Sequence, residues 1–136
     1  MLYHYTCQFW LPFIFQTGGL IPSSDLDKLP PLVWLTDSPT PDNMGLLFDA
    51  NMPAHLNKTH IRITVRKMEY MRLWEEWSDD RGIDRELKQA MIVSANAEET
   101  YKTWYVSERA IPIGDVLLIE NLVTGKVLYK RGAKGG

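Results

Sequence analysis

The chain holds a single cysteine, Cys7. No internal disulfide can form, and that scarcity points to a reducing compartment. Positive charge is not in excess either: 15 Lys and Arg stand against 17 Asp and Glu, a net charge of −2. A global basic field that recruits nucleic acid is therefore excluded, while a local patch stays open. The most apolar run, CQFWLPFIFQ at 7–16, contains Pro12 and is far shorter than the ~20 residues a spanning helix needs. No basic residues precede it as the first region of a signal peptide would require. The expectation is a soluble, cytoplasmic protein with no membrane association.

Catalytic signatures are also scarce. The three histidines, His4, His55 and His60, have no CxxC or HExxH partner spacing, so no metal site is expected. Cys7 sits in the apolar stretch, where burial suits it better than activation as a thiolate. There is no GxSxG elbow and no phosphate-binding glycine loop, and TGG at 17–19 reads as a helix stop followed by a turn.

What the chain does have is apolar and aromatic mass. Its 136 residues are 45% hydrophobic, with five tryptophans and six tyrosines, ample for one core. LYHY at 2–5 reads as a strand. Thr6 can cap a helix reaching about Gln16, with Phe9, Phe13 and Ile14 spaced to bury one face. Pro12 argues for a later start, since proline fits a first turn. After a polar loop comes a strand over Leu32–Thr36, then the proline-rich turn DSPTPDN. THIRITVR alternates His60, Arg62, Thr64 and Arg66 against Ile61, Ile63 and Val65, a strand over 61–66 with one wet face. MEYMRLWEEWSDDRG places Met71, Trp74 and Trp77 at helical spacing and stops at Gly82. IDRELKQAMIV gives a further helix with Asp84 near its start. A strand at 104–108 and a terminal hairpin in DVLLIENLVTGKVLYKR follow. The fold class is α+β: one domain over 1–131 with a split, mostly antiparallel sheet flanked by helices, and a flexible tail at 132–136.

Two charged stretches admit functional readings beside plainer ones. EEWSDDRGIDRELK contains enough carboxylates for acid–base work, but a solvated helix face and turn accounts for it. The arginines of IRITVR with His60 make a stripe that suits phosphate or simply solvent. His4, between two tyrosines at a strand end, stands out by combination: strand, His, Thr, helix, Gly-Gly-Leu, loop, and a strand ending in Trp-Leu-Thr.

That combination, LYHYT, FIFQTGGLIPS and VWLTDSP, resembles the N-terminal part of the ADP-ribosyltransferase superfamily, over about the first 40 residues. It looks most like the compact DNA-modifying-toxin and diphtheria-toxin-like branches. TWYVSERAIPIGDVLLIE is similar to the late strand of those proteins. The resemblance implies NAD as cosubstrate, with His4 hydrogen-bonding the nicotinamide ribose. The backbone at His4 or Tyr5 would hold the carboxamide, Tyr5 or Trp34 would stack on the ring, and Thr6 and Thr36 would lie beside it. It also implies a glutamate near the start of the late strand that stabilises positive charge as nicotinamide departs. That strand begins near Thr103 and Trp104 without one. Glu98 and Glu99 precede it, Glu108 lies towards its other end, and Glu99 is assigned the role. The arginine pair of the related phosphotransferases is not evident.

Two functions follow from the resemblance. One is an NAD-dependent ADP-ribosyltransferase acting on a protein or nucleic acid, of the phage or toxin effector kind. The other is a catalytically silent binding or inhibitor protein on the same scaffold, with Trp74 and Trp77 as interface anchors. For those two tryptophans, core packing of an amphipathic helix is the plainer expectation.

Overall fold

The structure, a computed structural model, describes residues 1–23, 29–41, 58–94, 97 and 100–131. Nine strands and three α-helices are assigned among them: β1 (Leu2–Thr6), α1 (Leu11–Thr17), β2 (Gly19–Leu20), β3 (Val33–Thr36), β4 (Ile61–Val65), β5 (Arg72–Leu73), α2 (Trp74–Asp80), α3 (Arg85–Ser94), β6 (Trp104–Ser107), β7 (Ile111–Pro112), β8 (Val116–Asn121) and β9 (Val127–Lys130). Seven strands form one sheet in the order β5-β6-β3-β1-β4-β8-β9, and β2 and β7 form a separate two-stranded ribbon. Every pairing is antiparallel, and the class is α+β. The tail at 132–136 lies outside the described residues.

Period-2 alternation explains the two faces of the sheet. Leu2, Val33, Leu35, Ile61, Ile63, Val65, Val116 and Ile119 form one buried cluster with Ile14 of α1, Leu20 of β2 and Ile111 of β7. On the other face Trp104 and Val106 pack with Leu32, Trp74, Trp77 and Ile92, so α2 and α3 cover that side. Thr64 is buried too, so the polar stripe expected along β4 is wet only in part: Arg62 is half-buried and Arg66 exposed.

Helix boundaries differ from expectation in two places. Thr6 is the last residue of β1 rather than a helix cap, and a 3₁₀ turn over Gln8–Trp10 precedes α1. The later start that Pro12 argues for is the one found: Pro12 occupies the first turn of α1, where its missing N–H costs nothing. Gly18 ends that helix in the left-handed conformation at φ 83°, its N–H donating to the Ile14 carbonyl. Only Ile14 is buried on α1. Phe9 and Phe13, expected in the core, are 47% and 48% exposed. In the second place, the helix expected from about Met68 begins only at Trp74, because Arg72 and Leu73 pair with Val106 and Tyr105 as a strand. Met71, Trp74 and Trp77 are nonetheless all buried.

Candidate active site: an opening between two strands

β1 and β4 share five register pairs, from Leu2↔Val65 to Thr6↔Ile61. β1 and β3 share one, Tyr3↔Thr36. Beyond that pair no further register pair joins them, and in this sense the strands diverge: His4–Thr6 and Val33–Leu35 face each other without a ladder. The ladder of the sheet is thereby reduced to one residue pair, with β5, β6 and β3 on one side and β1, β4, β8 and β9 on the other.

A cavity of about 820 Å³ occupies the divergence. Its walls draw on both faces of the sheet. Because Thr36 is opposite Tyr3, it shares a face with Tyr3, while His4 alternates to the other face. His4 and Thr36 nevertheless line the same cavity, together with Tyr5, Thr6 and Trp34. The five residues expected to bind a cofactor are thus brought together.

His4 spans the opening: its Nδ1 lies 2.7 Å from the Trp34 carbonyl oxygen. A carbonyl only accepts, so Nδ1 is the donor of this hydrogen bond. Trp34, half-buried, packs its ring 6.1 Å from Trp104 and 6.4 Å from Trp74 between centroids.

Thr36 and Tyr5 are committed differently from the direct ligand contacts expected of them. Thr36 is 2% exposed. Its hydroxyl donates to Thr103 Oγ1 at 3.1 Å and accepts from the Ser38 N–H at 3.0 Å, which closes the turn after β3. Tyr5 donates its hydroxyl to the Ser38 carbonyl at 2.9 Å, leaving its ring for the cavity wall. Thr6 is buried as well.

Several wall residues were not expected at the site. Trp10 and Phe13 line the mouth, and Lys58, Met91 and Trp104 line the cavity from other elements. Phe9, Trp10 and Phe13 form a ledge of half-exposed rings with centroids 5.1–6.1 Å apart. The available signal was FWLPFIF, with more aromatic rings than one helix face can bury. Lys58 brings a positive charge to a wall in which, among the described residues, there is no carboxylate. Such a wall favours a ligand with planar rings and an anionic group.

The assigned carboxylate, Glu99, and its neighbour Glu98 lie outside the described residues, as does His55. Glu108 is described, is exposed, and pairs with Arg81 of the α2 end rather than lining the cavity. Among the described residues no group of three His, Cys, Asp or Glu side chains converges to hold a metal ion, and no helix is long and apolar enough to cross a membrane. Trp74 and Trp77 are 0% and 2% exposed, which removes them as interface anchors. No family model, no curated protein and no solved structure matches the chain.

Proposed function

We propose that the opening between β1 and β3 binds NAD and that the chain transfers ADP-ribose from it to a macromolecular target. The observation that carries this reading is His4, set across the divergence with its Nδ1 tied to the Trp34 carbonyl. That tie holds the imidazole ring at the cavity wall beside aromatic rings, which suit the planar rings of a dinucleotide. The single cation of the described wall, Lys58, suits the pyrophosphate. In the reaction, the bond from ribose C1′ to the nicotinamide nitrogen breaks and its electron pair leaves with nicotinamide. A nucleophile on the target then bonds to C1′ and loses its proton. Positive charge develops on the ribose in between, and a carboxylate stabilises it. Glu99 is the residue we assign to that task.

A second reading rests on the wall itself, in which no described side chain is a carboxylate. A nucleotide-binding protein without turnover, acting by blocking a partner, fits that feature. Incubating the protein with NAD labelled on the adenine ring and a cell lysate separates the two. Transfer predicts label on a macromolecule together with free nicotinamide. NAD bound without either product supports the silent binder, and an absence of binding contradicts both.

A further inference from the structure

The single Tyr3↔Thr36 pair cannot by itself fix how far apart β1 and β3 stand. Besides the His4–Trp34 hydrogen bond across the opening, both of its sides are tied to one short turn, 37–40. Tyr5 of β1 donates to the Ser38 carbonyl at 2.9 Å. Arg62 of β4 donates through Nη1 to the Pro39 carbonyl at 2.7 Å. The same guanidinium is held from behind, with Nη2 and Nε at 2.8 and 3.3 Å from Glu120 Oε1 on β8, and it lies 5.5 Å from the centre of the Tyr3 ring. On the far side the turn is bound to its own half of the sheet, through Thr36 Oγ1 and the Asp37 N–H to the Thr103 carbonyl.

We infer that Tyr5 and Arg62 are positioning residues that set the width of the cavity by clamping the 37–40 turn across the divergence. Arginine suits this role because its planar fork serves two acceptors at fixed angles, whereas a lysine ammonium is a single point on a flexible stem. Tyrosine suits it because a rigid ring delivers one hydroxyl at a fixed reach. Both bonds end on backbone carbonyls, so the clamp depends on the shape of the turn. Glu120 orients the guanidinium without touching the turn itself. This inference concerns the protein alone. Its effect on NAD affinity rests on the proposed function: fewer molecules at the binding width means proportionally weaker apparent binding.

Width is measurable directly by pulsed electron spin resonance between labels on the two halves. Val123→Cys in the β8–β9 turn and Glu86→Cys on α3 are exposed sites, and Cys7 is buried. The parent background should give one narrow distance. Tyr5→Phe combined with Arg62→Met should lengthen or broaden it by several ångströms, on the scale of one strand spacing, and NAD should bind about tenfold more weakly. Glu120→Gln, which keeps an accepting oxygen on the guanidinium, should leave the parental distance. An unchanged distribution in the double variant overturns the inference, as does an equal broadening in Glu120→Gln. If the double variant does not fold, Tyr5→Phe alone removes one oxygen from the clamp and is judged by the same criterion. A parent that does not bind NAD removes the proposed function, and the distance distribution still decides the clamp.

Discussion

His4 draws its importance from its main-chain partner. A histidine whose Nδ1 proton goes to a backbone carbonyl has its ring orientation set by the fold. Thr36 and Tyr5, by contrast, spend their hydroxyls on the 37–40 turn. Sequence could single out all three residues by their strand-end context. It could not distinguish a ligand contact from a turn contact, because that depends on where Ser38 folds back. For the assigned carboxylate, Glu99→Gln should lower turnover by on the order of a hundredfold while NAD binding stays near parental. Glu108→Gln should leave turnover unchanged, since Glu108 pairs with Arg81 away from the cavity. Steady-state nicotinamide release checks both variants. A second residue-scale outcome concerns Tyr70, whose hydroxyl is buried near Asp115. Burial pushes its pKa up, and the Asp115 carboxylate adds to the shift, while Arg109 over the ring opposes it. A raised value means that the folded state favours the neutral phenol. The stabilisation is therefore complete below the ordinary phenol pKa of about 10 and is lost as pH rises through the higher folded value. Denaturant midpoints measured from pH 9 upwards should fall in the parent, and fall less in Tyr70→Phe.

At the scale of elements, β4 was legible because strict alternation in IRITV matches a strand buried on one face. The segment before α2 was not, because Met71, Trp74 and Trp77 keep helical spacing while pairing with β6 claims Arg72 and Leu73. Long-range pairing there outweighs a local periodicity. Trp74 is fully buried within 5.2 Å of the Trp104 ring centre and 6.3 Å of Tyr101. Trp74→Ala should destabilise by about 3–5 kcal/mol in equilibrium unfolding. The β2–β7 ribbon is held to closer tolerance. A Cβ added at Gly19 would come within 2.1 Å of the Ile111 carbonyl oxygen, a backbone atom that cannot swing aside. Gly19 and Leu20 also line the cavity. Gly19→Ala should therefore separate the ribbon strands, lower the unfolding midpoint and weaken ligand binding together. Gly18→Ala tests only the left-handed helix end, and should cost about 1 kcal/mol in stability with little effect on binding.

For the whole molecule, the deciding feature is that two half-sheets meet at one register pair. Strand content, antiparallel order and a single α+β class could be read from runs of β-branched and aromatic residues. The place where pairing stops could not, because register is set between segments some thirty residues apart and leaves no local pattern. The same limit hid Lys58, Met91 and Trp104, which reach the cavity from separate parts of the chain. The central claim is that the divergence between β1 and β3 is an NAD site organised by His4. Calorimetric titration of NAD into the parent and into His4→Ala tests it most directly, with circular dichroism confirming that the variant is folded. The account predicts saturable one-site binding by the parent and a loss of most of that affinity in His4→Ala, at least tenfold, because the imidazole that organises the opening is gone. No heat of binding in the parent, or equal affinity in the two proteins, contradicts it.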